Sequence, residues 1–441
     1  MALIKAFPVV KYGRRLTNEL EKLITPPYDV ISPQEQQAFY ESHPFNMIRL
    51  VLGNQYPDDH ELNNKHTRAA STLDEWMQKG VLTRHDKPAL AIYQMDFEQP
   101  GVGVKRLDGI VAVVKVDDYG RGKVLPHEKT YLGPKKDQLD LLRACKSNLT
   151  PVHSLFDDDD DRIYNLYSPF MENEPDQVAT DSNKNVHRTW LIDDEKIIDA
   201  ITEAFDSKSL FIADGHHRYE TALAYKREQE ALNSYDPEAP YNYVMMYLTA
   251  LSHPGLTILP AHRMVKGLSN FEISKFFTQL DPYFDFTEIP FSECSLTADT
   301  ERFISGLADY SDVGGCFGLA CHGQNRFWLL KLRDFGALSR VVDSSIPVAL
   351  QRLDVTILSE VILNLGLGLD KGNSEGKIEY TPIISEAIER ALRGEVQASF
   401  ILNPTRVDQM REAAEKGFKL PQKSTYFYPK LSSGLVLNVF Q

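Results

Sequence analysis

Residues 209–228 read SLFIADGHHRYETALAYKRE, and this stretch decides the central part of the fold. The apolar run at 210–213 predicts a buried strand, and residues 217–232 have the pattern of a helix. A glycine between the two permits a turn that other residues resist. We therefore predict a strand-to-helix corner that carries Asp214, Gly215, His216, His217 and Arg218.

These corner residues suit an anion. The first turn of a helix exposes backbone N–H groups and a partial positive charge, and an arginine offers a planar fork of donors that matches phosphate. Asp214 is placed to accept a proton or to hold Mg²⁺. Adjacent histidines point about 100° apart on a helix, so His216 and His217 do not readily face one zinc ion. Phosphate is favoured, and a plain polar turn stays open as the alternative.

A second set of chemical groups lies in LPHEKTYLGPKKDQ (125–138). His127 and Glu128 form an acid/base-capable pair, and Lys129 and Lys135 are cations that could neutralise phosphate. The second histidine of an HExxH motif is absent, so a zinc protease site is not supported. The alternative is a solvated loop.

Three further stretches carry candidate groups. His262 and Arg263 follow a strand-like run in TILPAHRMV (257–265), and Asp29 lies in the proline-stiffened TPPYDVIS (25–32). PQKSTYFYPKL (421–431) combines aromatic residues with lysines, which suits stacking of a base, although a C-terminal strand explains it as well. We place His262 and Arg263 with the cofactor-binding candidates.

Composition narrows the class of protein. The 441 residues carry a formal net charge of −14 with a pI of about 5.4, which speaks against coating nucleic acid but leaves a local phosphate site possible. The four cysteines form no CxxC pair, and no run of about 18 apolar residues suggests a membrane span. We expect a soluble cytoplasmic protein without a membrane partner, and the oligomeric state is left open.

The chain predicts an α/β fold with mixed sheets. We expect an N-terminal α/β segment (1–160), a central unit with the histidine corner (161–265) and a C-terminal α/β segment (266–441). Local patterns predict a helix at 33–42, a strand at 46–53 and one long helix at 348–368.

Taken together, these stretches resemble a prokaryotic family known as domain of unknown function 1015. The resemblance covers nearly the whole chain. It rests on TPPYDVIS, HPFNMIRLVLG, LPHEKTYLGPKKDQLDLLRA, NLTPVHSLFDD, FIADGHHRYETAL, YNYVMMYLTAL, LTILPAHRMV, LDVTILSEVIL and PQKSTYFYPKL.

The corner itself resembles the signature of the ParB/sulfiredoxin-like superfamily. In that superfamily a strand ends in a Gly-x-x-Arg-type turn that opens a helix and cradles nucleotide phosphates. The resemblance implies a central unit of this type here, with a phosphate cradle formed by Gly215, His216, His217 and Arg218. It also implies a nucleotide ligand (ATP, ADP or CTP), with Mg²⁺ as a further possible cofactor.

Members of the superfamily differ in their functional residues, and this sequence can be compared with each of them. A sulfiredoxin needs a cysteine in the corner, and His216 stands there instead. A DNA-segregation switch needs a helix-turn-helix reader, whereas residues after the corner predict strands. A free-serine kinase has an Asp before its corner, which Asp214 matches, and an acidic base elsewhere, for which Glu128 and Asp29 are candidates.

We therefore expect a nucleotide-dependent phosphotransferase that acts on a small hydroxylated metabolite. Asp214, His217, Glu128 and His127 are the catalytic candidates. Two alternatives stay open. One is a nucleotide-binding regulator without turnover, and the other is a metal-dependent phosphoester hydrolase or nuclease.

Overall fold

The protein folds into two compact units. The first comprises 1–126, 130–257 and 429–441, and the second comprises 127–129 and 258–428. The computed structural model describes residues 3–99, 102–119, 122–127, 132–234, 236–269, 271–292, 294–370, 372–421 and 423–440, without the side chains of 132–135 and 339. The division into segments 1–160, 161–265 and 266–441 stays a prediction.

The β-strands range from two to thirteen residues in length and are distributed along the chain. In chain order they are β1 (Ile4–Lys5), β2 (Val10–Tyr12), β3 (Leu82–Arg84), β4 (Leu90–Gln99), β5 (Gly103–Lys115), β6 (Val124–Leu125), β7 (Ser147–Asn148), β8 (Val152–Phe156), β9 (Gln177–Thr180), β10 (Val186–Ile192), β11 (Leu210–Asp214), β12 (Tyr243–Ala250), β13 (Thr257–Leu259), β14 (His262–Val265), β15 (Phe284–Pro290), β16 (Cys316–Cys321), β17 (Arg326–Leu332), β18 (Ile378–Thr381), β19 (Ala398–Leu402), β20 (Tyr426–Tyr428) and β21 (Asn438–Val439).

The α-helices alternate with these strands. They are α1 (Leu20–Leu23), α2 (Pro33–Ser42), α3 (Ile48–Val51), α4 (Lys65–Gln78), α5 (Leu132–Cys145), α6 (Arg162–Tyr167), α7 (Glu195–Phe205), α8 (His216–Leu232), α9 (Ile273–Leu280), α10 (Leu296–Ala308), α11 (Val348–Gln351), α12 (Asp354–Ile357), α13 (Ile384–Leu392) and α14 (Val407–Glu415). Within the described residues, none of the helices combines the length and apolar character that crossing a bilayer requires.

A mixed sheet forms the centre of the first unit. Its strand order is β6-β11-β8-β12-β5-β4-β10-β9, and β1 pairs with β5. β11 runs parallel to β6 and antiparallel to β8, and β12 runs parallel to β8 and antiparallel to β5. Because helices pack with a sheet that contains both kinds of pairing, the predicted mixed α/β class is confirmed.

The apolar side chains of this sheet form a core with the helices. Leu210 and Ile212 of β11 belong to the same buried cluster as Tyr219 and Ala222 of α8. Each fully buried large apolar side chain contributes roughly 1.5–3 kcal/mol of transfer free energy. The strand before the corner and the helix after it are therefore both anchored by burial, which fixes the position of the turn between them.

The second unit has a sheet of its own. Its strand order is β15-β17-β16-β19-β14-β18, and its neighbouring strands are antiparallel. Phe317 and Leu319 of β16 and Phe400 of β19 pack with α9 residues such as Phe276 in one buried cluster. This unit is thus built around an independent core.

Of two local secondary-structure predictions in the N-terminal region, one is confirmed and one is wrong. The helix at 33–42 is confirmed, and Ser32 caps it by accepting from the backbone N–H of Glu35. The strand predicted at 46–53 is wrong, because the structure has the helical turn α3 there. The Asn46 side chain accepts from the N–H of Ile48 at 2.8 Å and starts the turn. A short apolar run does not distinguish strand from helix by its pattern alone.

The long helix predicted at 348–368 is interrupted. α11 ends at Gln351, and Leu353 adopts an extended backbone with φ −77° and ψ 135° before α12 begins. A π-helix at Leu358–Leu365 follows α12. The run of apolar residues is buried on several sides, so the sequence pattern did not reveal the break.

Candidate functional site

The predicted corner is formed as a strand, a glycine and a helix. β11 ends at Asp214, Gly215 has a φ of +89°, and α8 begins at His216. Glycine reaches this left-handed region without steric cost. A Cβ at Gly215 would lie 2.9 Å from the guanidinium carbon of Arg218, so the glycine also lets the arginine side chain fold back over the turn.

A β-bulge directs the aspartate at this corner. Ile212 lies opposite Ser154 in the antiparallel register, so a regular ladder would place Ala213 opposite His153. The register shifts by one residue, and Asp214 lies opposite His153 instead. Bulges of this kind re-aim a side chain at the end of a ladder. The bulge therefore turns Asp214 towards the face of the sheet that carries His153.

Two cations bind the carboxylate of Asp214. Arg218 Nη2 lies 2.6 Å from Oδ2, and Lys430 Nζ pairs with Oδ1. The guanidinium of Arg218 also donates to the carbonyl oxygen of Pro151. The three charged side chains are 12–17% exposed, so water screens them only in part. Together they carry one net positive charge.

The ion pairs control the protonation state of Asp214. Burial by itself would raise the pKa of this carboxyl, but the attraction of Lys430 and then of Arg218 outweighs burial and holds the pKa well below its usual range. Asp214 is consequently ionised throughout the physiological range. A carboxylate with so low a pKa is a weak base, and it orients the two cations around it.

His153 is a neutral neighbour of this cluster. Its ring is buried, and Nε2 lies 3.2 Å from Oγ1 of Thr249. Burial lowers the pKa of His153 to about 3, with Lys430 and Arg218 adding to the shift and Asp214 opposing it. The positive charge of the cluster therefore comes from Arg218 and Lys430.

A small cavity of about 50 Å³ adjoins Arg218. Residues from several parts of the first unit line it, namely Tyr28, Val51, Gln138, Leu141, Leu142, Ser147, Asn148, Leu149, Thr150, Arg218, Thr221 and Val244. The hydroxyl oxygens of Ser147 and Thr221 are buried there and have no hydrogen-bond partner among the described residues. Such a volume holds one or two water-sized polar groups, which would satisfy these hydroxyls.

Residues from three candidate stretches of the sequence, which are far apart along the chain, therefore lie at the corner. Tyr28 comes from the stretch 25–32, Gln138 from 125–138 and Lys430 from 421–431. Burial and then the nearby Asp29 raise the pKa of Tyr28 to about 12, so this phenol is neutral. The first unit assembles the corner from segments that are far apart along the chain.

The two histidines of the corner occupy the first turn of α8. His216 is buried and His217 is half-buried, in keeping with the different directions predicted for adjacent helical residues. Among the described residues, no three or more His, Cys, Asp or Glu side chains are grouped so that they could hold a metal ion. Magnesium at Asp214 stays a prediction, and it would require Mg²⁺ to displace Lys430 or Arg218 from the carboxylate.

The candidates in 125–138 are described only in part. His127 belongs to the second unit, where Nε2 lies 2.9 Å from Oγ1 of Thr425 and the backbone oxygen accepts from the N–H of Leu420 at 2.6 Å. Glu128 and Lys129 lie outside the described residues, as does the side chain of Lys135. Their catalytic and phosphate-binding roles stay predictions.

His262 and Arg263 also lie in the second unit, on β14. Burial lowers the pKa of His262 to about 3. Arg263 is buried and donates to the backbone oxygens of Ala261 and Lys423, the latter at 3.1 Å. These bonds explain Arg263 as part of the unit's interior, and a role of either residue in cofactor binding stays a prediction.

The sequence patterns missed two residues of the corner. His153 stands in NLTPVHSLFDD and Lys430 in PQKSTYFYPKL, both of which carry the family resemblance. The pattern of the first stretch predicts a strand, and the second suits a C-terminal strand or the stacking of a base, but β20 ends at Tyr428, before Lys430. A lysine beyond a strand end, in a stretch already notable for its cations, was the available signal.

Comparison with known proteins identifies the family. The sequence profile of the protein family of unknown function DUF1015 matches residues 4–356. The chain belongs to this family. No curated protein matches the chain. The ParB/sulfiredoxin-like assignment of the corner stays a prediction.

Several solved structures are similar at low identity. A free serine kinase variant in complex with AMP is 13% identical, with a TM-score of 0.35 over 71% of this chain and 89% of that chain. A conserved hypothetical protein from Pyrococcus furiosus is 13% identical, with a TM-score of 0.32 over 71% of this chain and 92% of that chain. SbnI from Staphylococcus aureus, truncated at its C-terminus, is 10% identical, with a TM-score of 0.35 over 75% of this chain and 87% of that chain.

Replacing Gly215 by alanine should disturb the ion pairs of the corner. The new Cβ would be strained at φ +89° and would push the Arg218 guanidinium from Asp214. We expect the free energy of unfolding to fall by about 2 kcal/mol in urea titrations. Gly80→Ala is the control, because its φ is +69° and nothing lies within 4 Å of its added Cβ. Equal losses in both variants would contradict a steric link to Arg218.

The low pKa of His153 should make stability depend on pH. Between about pH 6.5 and pH 3 the unfolded chain binds a proton that the folded protein excludes at this ring, so stability should fall as the pH falls. The slope from one such group is at most about 1.4 kcal/mol per pH unit, and His153→Gln should reduce it. In NMR spectra of histidine-labelled protein, the His153 signal should remain that of neutral imidazole at pH 5. A midpoint near 6.5 would contradict the assignment.

Proposed function

We propose that this protein is a nucleotide-dependent phosphotransferase that acts on a small hydroxylated metabolite. The corner formed by Gly215, His216, His217 and Arg218 would bind the phosphates of a nucleotide such as ATP, ADP or CTP. When bound, the nucleotide would supply the phosphoryl group.

The observation that carries the proposal is the cation pair on Asp214. Phosphoryl transfer depends mainly on positioning and on neutralising negative charge. Arg218 and Lys430 are more than two hundred residues apart in the sequence, yet both bind the carboxylate of Asp214. Holding two cations together in advance avoids the reorganisation that would otherwise accompany phosphate binding.

The fit of a phosphate to the corner has two further supports. α8 is a 17-residue helix whose N-cap is glycine, so no side chain of the N-cap residue covers its first turn. The partial positive charge of that turn adds to the net positive charge of the three ionised side chains. The Arg218 guanidinium lies over the Gly215 turn, 2.9 Å from where a Cβ would stand, so a phosphate at the first turn of α8 would meet this guanidinium.

The roles of the acid/base candidates follow from their surroundings. Asp214 is bound by both cations, so it positions Arg218 and Lys430 and is ill-suited to accept the proton of an acceptor hydroxyl. His217 is half-buried in the first turn of α8, which makes it the candidate base at the corner itself. Glu128 and His127 are the other candidates for this step, and Lys129 and Lys135 for charge neutralisation.

The ionised state of Asp214 also favours a second function. A corner that binds phosphate strongly but has a poor base next to it suits a nucleotide-binding regulator without turnover. The two functions share the phosphate site and differ in whether product forms. A metal-dependent phosphoester hydrolase or nuclease, the third alternative, would additionally require metal ligands.

Incubating the protein with labelled nucleotides and a pool of small metabolites tests the phosphotransferase directly. We expect a phosphorylated metabolite in the wild type and at least a tenfold loss of nucleotide affinity in Arg218→Lys, which keeps the charge but loses the planar fork. Arg227→Ala is the matched control on the same helix, since Arg227 is 63% exposed and pairs with the surface residue Asp118.

The results of these experiments distinguish the phosphotransferase from the regulator and from the hydrolase. Saturable binding without product would favour the regulator, and product whose formation stops on chelation and requires both His216 and His217 would favour the hydrolase. Nucleotide binding and transfer that both survive Arg218→Lys and Arg218→Ala would contradict the assignment of the corner.

A further inference from the structure

Polar residues interrupt one end of an otherwise apolar sheet face in the first unit. In the antiparallel register Asp108 of β5 lies opposite Gln94 of β4, which lies opposite Arg188 of β10. The adjacent row pairs Arg106 with Asp96. Further along the same strands this face carries buried residues such as Ile92 and Ile110. These two adjacent polar rows, one across three strands and one across two, are not needed to build the core.

These rows form the floor of a cleft of about 620 Å³. Its wall comes from α6 and the chain that follows, including Tyr164, Met171 and Glu172. A volume of this size is in the range of small-molecule sites. The cleft is lined by residues of the first unit throughout.

The cleft lies on the face of the sheet opposite to the residues beside Asp214. Tyr93 precedes Gln94 on β4, and its ring packs against Tyr247, which in turn packs against His153. Successive side chains of a strand point to opposite faces. Gln94 therefore points away from the face to which the bulge turns Asp214, and the cleft is separate from the corner.

The carboxylate of Asp108 is held rigidly at the cleft. It is 4% exposed and accepts from the hydroxyl of Tyr167 at 2.8 Å. Nε2 of His253 lies 3.1 Å from its other oxygen, and Nδ1 of the same ring accepts from the N–H of Gly255 at 3.0 Å. Because Nδ1 is an acceptor, Nε2 carries the hydrogen and donates to Asp108. Each carboxylate oxygen keeps a lone pair for a further donor.

Gln94 supplies a hydrogen-bond donor, which complements the acceptor Asp108. It is 5% exposed, and its oxygen accepts from Arg188 at 3.3 Å. Its amide nitrogen has a 3.3 Å contact with the thioether sulfur of Met171, which is a weak acceptor. Among the described residues this buried amide donor meets only a weak acceptor, which is uncommon in folded proteins, so the nitrogen is suited to a ligand oxygen.

The charges of the cleft floor are balanced. Asp96 accepts from Arg106 at 2.6 and 3.0 Å and from Arg188 at 2.7 Å. The hydrogen bond from Arg106 is the main reason why the pKa of Asp96 lies below its usual value. With Asp108, the floor carries two positive and two negative side chains. With Glu172 and Glu174 in the wall, the cleft lining is net negative, so the cleft presents directed donors and acceptors and disfavours an anion.

Tyr164 adds a flat apolar surface at the entrance. Its side chain is 38% exposed, and its ring lies edge to face with Tyr167 at a centroid distance of 5.4 Å. An aromatic ring that is fixed in this way covers apolar C–H groups at little cost in conformational entropy. Balanced polar groups below and an aromatic face beside them match a molecule with many hydroxyl groups on a carbon backbone.

We propose that this cleft binds a neutral polyhydroxylated small molecule, of the class of monosaccharides and linear polyols. Hydroxyl groups both donate and accept, so one ligand hydroxyl satisfies Asp108 while another accepts from Gln94. The site is independent of nucleotide binding at the corner, and its ligand is recognised by hydrogen bonding and by contact with Tyr164.

Ligand-observed NMR with the intact protein tests this site, using glucose, ribose, glycerol and sorbitol as probes and sodium sulfate as a competitor. We expect saturable binding of at least one neutral probe without competition from sulfate. Gln94→Leu should weaken binding at least tenfold and Tyr164→Ala several-fold. Tyr56→Ala is the control, because Tyr56 is an exposed tyrosine of the same unit that does not line the cleft, and it should change nothing.

Three results would overturn the proposal: no saturable binding of any neutral probe, displacement of the probe by sulfate, or unchanged affinity in both cleft variants. Thermal unfolding establishes whether each variant is folded. If Gln94→Leu unfolds, Tyr164→Ala decides the outcome, since its half-exposed side chain lies at the entrance.

Discussion

The arrangement at the corner depends on the carboxylate of Asp214 between two cations. Removing one partner from such a cluster leaves a charge partly buried without compensation, which typically costs several kcal/mol. Gly215 gives the turn its left-handed backbone, the bulge in β11 aims the carboxylate, and Arg218 and Lys430 bind its two oxygens. Each of these features would be difficult to explain if the corner were only a surface turn.

The local part of this site could be predicted from the sequence. An apolar run, a glycine and a helical pattern are short-range signals, and the structure has β11, Gly215 and α8 where they indicated. The pairing of Asp214 with Lys430 spans 216 positions, and a single sequence contains no local signal for it. The bulge was equally hidden, because it is a property of the pairing between β11 and β8.

The wrong strand prediction at 46–53 also has a physical cause. The stretch predicted as a strand at 46–53 contains a helical turn, at whose start the Asn46 side chain accepts from the N–H of Ile48, a cue that the apolar alternation obscured. His127, His262 and Arg263 are candidates by their chemistry alone; they belong to the second compact unit and make local contacts there, and their roles stay predictions. Residue type indicates what a side chain can do, whereas tertiary packing decides which groups act together.

We propose that phosphate is the part of the ligand that binds to the corner. The most direct test compares the affinity of ADP with that of adenosine, and of CTP with that of cytidine, in the wild type and in Lys430→Met. Charge-assisted hydrogen bonds contribute roughly 1.5–3 kcal/mol each, so a phosphorylated ligand should bind at least tenfold more tightly than its nucleoside, and Lys430→Met should reduce that ratio. Equal affinities for nucleotide and nucleoside in the wild type would contradict the central claim.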